Sequence, residues 1–193
     1  MLLAAATARS APQVDTLERC ALARTAARLV PSGARIGLGG GSSMRVLAHE
    51  LARRGRLSVV TTALDVALEL APASGVELTV TAGEAVPGTP HLTGPESVRA
   101  LEPLHLDVAV IQADGVTGDV VSVTDSRVGA TIRALVERAN RLIVLADSRA
   151  VGRLARFPVA DSMTAHPLVA YASAGDPTIE AYARSGIDIA LAR

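Results

Sequence analysis

Short apolar runs alternate along this chain with longer stretches of helical periodicity. Asp15 or Thr16 is positioned to cap a helix reaching about Val30, with Leu17, Ala21, Leu22 and Leu29 on its apolar side and Pro31, Ser32 and Gly33 ending it. The pattern then predicts a strand over 36–38, a helix over 43–54, a strand over 57–60, a helix over 64–70 and a strand over 76–80. Residues 81–95 hold three prolines and three glycines and read as a loop or irregular flap. A short helix over 97–104 precedes a strand over 108–111 and a polar segment over 112–126. A helix from Arg127 to about Asn140 and a strand over 142–145 come next, and Arg149 and Ala150 open at most a short helix before Gly152. Strands over 168–171 and 187–190 flank a helix over 177–184, which Asp176 and Pro177 start.

Apolar strands separated by amphipathic helices favour right-handed crossovers and a parallel sheet. The fold class expected is α/β: a mostly parallel, Rossmann-like sheet with helices on both faces and an irregular flap. Residues 15–193 read as one domain after a flexible stretch over 1–14. Residues 1–30 carry a single helical pattern, too little for a winged helix, so this chain is not expected to bind nucleic acid directly.

Composition narrows the chemistry. Hydrophobic residues make up 49% of 193, yet aromatics only 2%, so the core must be built from Ala, Val, Leu and Ile. With 19 basic and 19 acidic residues, no net field draws the chain to nucleic acid or an anionic membrane. Every basic side chain other than histidine is an arginine, which excludes a Schiff-base lysine, a lysine base and a Walker-type loop. Cys20 is the sole cysteine and sits in an Ala/Leu-rich helical pattern as a small core residue. His49, His91, His105 and His166 lack zinc-site spacing, so neither metal nor cofactor is expected. Residues 1–8 lack the layout of a signal peptide and no run reaches membrane-spanning length, so a cytoplasmic protein is expected.

In open parallel sheets ligands bind beyond the carboxyl ends of the strands, and four polar clusters fall there. The first is the turn at Gly39, Gly40, Gly41, Ser42 and Ser43. Its glycines let the backbone approach a ligand and its hydroxyls suit a phosphate or carboxylate at a helix N-terminus. The plainer alternative is a strand-to-helix turn capped by Ser42 with no ligand. Thr61 and Thr62 end the next strand and either face ligand or satisfy backbone groups. Asp114, in the run from Gln112 through Ala113 to Gly115, suits a sugar hydroxyl, a base or an Asx turn. Asp147 with Ser148 either joins the pocket or caps the segment that follows.

The ordered series Gly41-Ser42-Ser43, Val59-Val60-Thr61-Thr62, Leu92-Thr93-Gly94-Pro95, His105-Leu106-Asp107, Ala113-Asp114-Gly115-Val116 and Leu145-Ala146-Asp147-Ser148 with Gly152-Arg153 resembles the C-terminal effector-sensing domain of DeoR-type bacterial transcription regulators. The resemblance covers about residues 18–192 and implies a ribose-5-phosphate isomerase/CoA-transferase-like fold. It also implies that Gly41-Ser42-Ser43 holds the phosphate of a phosphorylated sugar or related small anionic metabolite, with Asp114 and Thr61-Thr62 toward the sugar. A homodimer or homotetramer is expected on the same ground. The chain departs from the family at Gly39, where an acid is common, and at Met44, where a third threonine is. It departs again at Val86, commonly arginine, and at Ile132 and Ala150, commonly lysine. Arg45, Arg127, Arg133 or Arg149 could replace the lost charges if turned inward.

The leading expectation is a non-catalytic ligand sensor. The alternative is a sugar-phosphate isomerase-like enzyme with Asp114 as base, although the lysine those isomerases use has no counterpart here. A structural partner in mixed oligomers is a third option.

Overall fold

The computed structural model describes residues 13–161, 166–173 and 175–193. Helix α1 (Gln13–Leu29) begins ahead of both expected caps, Asp15 and Thr16, which lie within it. Of the flexible stretch expected over 1–14, residues 1–12 lie outside the described residues, and 13 and 14 already belong to α1. Strand and helix then alternate as β1 (Arg35–Leu38), α2 (Ser42–Ala52), β2 (Leu57–Thr61), α3 (Leu64–Leu70) and β3 (Val76–Val80). The flap carries a two-stranded antiparallel ribbon, β4 (Glu84–Ala85) with β5 (Leu92–Thr93). Next come α4 (Pro95–Leu101), β6 (Leu106–Gln112), β7 (Gly115–Thr117), β8 (Val120–Val123), α5 (Ser126–Glu137) and β9 (Ala139–Ala146). The described chain ends with β10 (Phe157–Ala160), β11 (Leu168–Ala170), α6 (Pro177–Arg184) and β12 (Ile189–Leu191).

Seven strands form one parallel sheet in the order β12-β11-β9-β6-β1-β2-β3. Alternate residues of each central strand point to opposite faces, which splits the core in two. On one face Val108, Val110, Ile143 and Leu145 pack with Leu22 of α1, Leu47 and Leu51 of α2 and Val66 of α3. On the other, Ala109, Ile111, Leu142 and Val144 meet Leu101 of α4, Ile132 and Leu135 of α5 and Ile179 and Tyr182 of α6. Covering both faces removes apolar strand surface from water, the main stabilising term for a sheet of this kind.

The polar segment over 112–126 carries two strands. It folds into the hairpin β7–β8 around Gly118 (φ 55°), and β10 joins β8 to make a second, antiparallel sheet of three strands. Val116, Val121 and Val123 bury their side chains beneath it, an alternation too short to outweigh its polar neighbours in sequence. The helix expected to reach Asn140 ends at Glu137, because β9 starts early to pair Ala139 with Leu106. Residues 149 and 150 form a turn.

The hairpin is tied to the main body by the Tyr182 hydroxyl, which donates to the Val116 carbonyl at 2.9 Å. Tyr182→Phe is expected to lower unfolding free energy by about 1 kcal/mol in urea titration. Leu145→Ala, which empties space in the core, is expected to cost about 2–5 kcal/mol.

Candidate functional site

The chain runs outward from β1 to β2 and β3, then returns to lay β6 on the other side of β1. That reversal opens a crevice between the carboxyl ends of β1 and β6, the place where open α/β sheets receive ligands. The register sets the four polar clusters at one edge: Leu38 lies beside Thr61 and Val110, and Gln112 beside Leu145. Gly40 to Ser43, Thr62, Asp114 and Asp147 therefore leave the sheet at the same end.

At the first cluster Gly41 (φ 133°), not Ser42, is the N-cap of α2, and no side chain caps that helix. The Ser43 N–H donates instead to the side-chain oxygen of Gln112 at 2.9 Å, joining the two walls of the crevice. Neighbours fill the room left by the glycines. A Cβ on Gly39 would lie 2.8 Å from Ile132 Cδ1, one on Gly40 2.7 Å from His91 Cε1, and one on Gly41 2.6 Å from Gln112 Oε1. Beneath the turn Ser43 and Thr62 are fully buried, and neither hydroxyl has a hydrogen-bond partner among the described residues.

Thr61 takes its plainer role: its hydroxyl donates to the Leu38 carbonyl at 2.9 Å and accepts from the Ala63 N–H at 3.2 Å. Asp114 is exposed and accepts from the Thr124 N–H at 2.7 Å across the hairpin rather than closing an Asx turn. A Cβ on Gly115 would sit 2.6 Å from the Ala155 nitrogen, so this glycine admits the 153–155 backbone beside Asp114. Asp147 caps its turn, accepting at 3.0 Å from the N–H groups of both Arg149 and Ala150, and pairs with the Arg149 guanidinium at 2.8 Å. Ser148 is exposed, and its N–H donates to the buried Glu18 carboxylate.

Of the positions where the family pattern carries charge, Val86, Ile132 and Ala150 are buried apolar ground here, as is Met44, where it carries threonine. Arg45 pairs with Glu69 at 3.4 Å, Arg127 with Asp125 at 3.1 Å, and Arg133 donates to the Pro158 carbonyl. Of the four candidate replacements only Arg149 lines the open cleft. That cleft, about 420 Å³, is lined by Gln112, Asp114 and Asp147 together with Arg149, Arg153 and Arg156, and by none of Gly40 to Ser43.

The protein now has relatives to set beside this geometry. A family model described as the DeoR C terminal sensor domain matches residues 15–170. This chain belongs to the DeoR C-terminal sensor domain family. Among curated relatives, the HTH-type transcriptional regulator GolR of Listeria innocua is 31% identical over 137 residues, 70% of this chain and 54% of that protein. The putative aga operon transcriptional repressor of Escherichia coli O157:H7 is 22% identical over 179 residues, 92% of this chain and 66% of that protein. The DeoR sensor chain thus spans between about half and two thirds of the length of these relatives. In fold it is similar to ribose 5-phosphate isomerase A of Methanocaldococcus jannaschii, with a TM-score of 0.52 and 21% identity over 72% of this chain and 56% of that one. A D-ribose-5-phosphate isomerase in complex with phospho-erythronic acid gives 0.54 and 20% over the same shares. Among the described residues of this DeoR domain no helix is long and apolar enough to cross a membrane.

His91 belongs to none of the four polar clusters legible in the sequence, and Gln112 enters them only as the first residue of the Asp114 run. His91 lies on the flap, 51 positions from the glycine it covers, and no local motif marks that contact. Burial holds its imidazole pKa below the usual 6.5, opposed by the negative charges of Asp65, Asp114 and Asp125. The folded chain therefore binds this proton less readily than the unfolded one, so the stability of neutral His91 is complete above pH 6.5 and falls as pH drops below it. His166 is shifted the same way by burial and by Arg141. His91→Gln is expected to flatten, without abolishing, the loss of urea stability on acidification below pH 6.5. Gly40→Ala is expected to destabilise by about 1–3 kcal/mol through its clash with His91 and Ala63, with His91→Ala recovering part of that loss in the double variant.

Proposed function

We propose that this chain is the effector-sensing part of a transcription regulator and that its effector is a phosphorylated sugar or related small anionic polyol. The ligand would occupy the crevice between β1 and β6, with Gly40, Gly41, Ser42, Ser43, Thr61, Thr62, Asp114, Gly115, Asp147 and Ser148 at or around it. One observation carries this reading. Beyond the carboxyl ends of β1 and β2 two buried hydroxyls, on Ser43 and Thr62, stand without a hydrogen-bond partner among the described residues. A buried unpaired hydroxyl costs about 1–3 kcal/mol, a cost understandable if those groups meet a polar ligand. The role is binding without catalysis. The relatives above are named as regulators or repressors, and with no lysine in the sequence an isomerase mechanism would rest on Asp114 alone. Reading DNA would fall to another part of the regulator, and self-association into a homodimer or homotetramer belongs to the same proposal.

The test is thermal unfolding against ribose 5-phosphate and a panel of other sugar phosphates. At a hundredfold excess over Kd, binding is expected to stabilise by about 2.7 kcal/mol, a rise of roughly 5–10 °C for a chain of this size. Absence of any shift across the panel removes the proposal. Thr62→Val separates function from stability. It is expected to raise the ligand-free melting temperature, because it deletes an unpaired buried hydroxyl, while shrinking the ligand-induced shift.

A further inference from the structure

Resting on the sensor reading above, we propose that the charged end of the effector is held by Arg153 and Arg156, in the cleft that Gln112 and Asp114 also line, with those two residues taking its hydroxyls.

The turn is a poor seat for a phosphate in this chain. The Ser43 N–H is already donated to Gln112, His91 lies against Gly40, and Arg45 and Arg127 are engaged by Glu69 and Asp125. The segment after Asp147 is different. Arg153 and Arg156 have no carboxylate partner among the described residues, and both line the same 420 Å³ cleft as Gln112 and Asp114. The Arg156 guanidinium carbon lies 5.5 Å from the centroid of the Phe157 ring, a contact that orients the group without neutralising it.

The segment is also fastened in place. The Val116 N–H donates to the Ala150 carbonyl and the Gly152 N–H to the Val116 carbonyl, both at 2.9 Å. The Ala155 N–H donates to the Ser122 hydroxyl at 2.8 Å, and that hydroxyl donates in turn to the Gly115 carbonyl at 3.0 Å. Gly115, by lacking a Cβ, and Gly152, at φ 75°, let the segment take this path. Two guanidiniums are thereby presented on a backbone fixed before any ligand arrives, which lowers the ordering cost of binding. Among the described residues neither cleft carboxylate forms an ion pair with them: Asp147 is paired with Arg149 and accepts from two backbone N–H groups, and Asp114 accepts from the Thr124 N–H. Guanidinium forks suit phosphate and carboxylate alike, so the ligand class is a polyol ending in either group.

Isothermal titration of the full chain with ribose 5-phosphate, gluconate and unsubstituted ribose tests this. In Arg153→Gln/Arg156→Gln the affinity for whichever anionic probe the wild type binds is expected to fall about a hundredfold, roughly tenfold per arginine. Any binding of ribose is expected to stay within twofold, and the ligand-free melting temperature is expected to hold because both side chains are exposed. Ribose 5-phosphate and gluconate distinguish a phosphate end from a carboxylate end. Retention of anion affinity within twofold in the double variant, with loss in Ser43→Ala, overturns this assignment and leaves the sensor reading standing. No heat with any sugar phosphate or sugar acid overturns both.

Discussion

The hydrogen bond from the Ser43 N–H to the Gln112 side chain is the contact on which the site depends. It spans the gap between β1 and β6, where the strand order reverses and no crossover helix fills the carboxyl end of the sheet. It satisfies one of the orphan donors at the start of α2, sets the separation of the crevice walls and orients Gln112, two residues from Asp114. With the sheet closed above and below by helices, that edge is where strand ends can present polar groups to a ligand.

The glycines around it serve packing more than flexibility. Gly39 gives way to Ile132, Gly40 to His91, Gly41 to Gln112, and Gly115 to the 153–155 backbone. Each contact joins segments far apart in sequence, so the turn at β1 acts as a junction between β6, α5 and the flap. A glycine-rich turn of this kind can arise from the demands of its neighbours as readily as from those of a phosphate.

Electrostatics follow from the same arrangement. Where the family pattern carries charges, this domain buries Val86, Ile132 and Ala150 in its second core, avoiding the desolvation of ionised groups. Its remaining cationic character at this edge lies on exposed arginines of the segment after Asp147, anchored by the β7–β8 hairpin. An exposed guanidinium pays little desolvation when empty and can still form charge-assisted hydrogen bonds to an anion.

Much of this could be read from the residues in order. Strand and helix positions were visible because a buried parallel strand is a short apolar run and a covering helix repeats every 3.6 residues. The family series from Gly41 to Arg153 held, as did the helix started by Asp176 and Pro177, whose capping bonds are local. The hairpin at 115–123 is not legible in the sequence because its apolar alternation is only a few residues long. Folding alone settled that Gly41 rather than Ser42 caps α2, that the Thr61 hydroxyl bonds to backbone while the Thr62 hydroxyl has no partner among the described residues, and that His91 lies on Gly40. These outcomes depend on partners from 23 to 69 positions away, brought within hydrogen-bond or van der Waals range by sheet register, which local spacing does not encode.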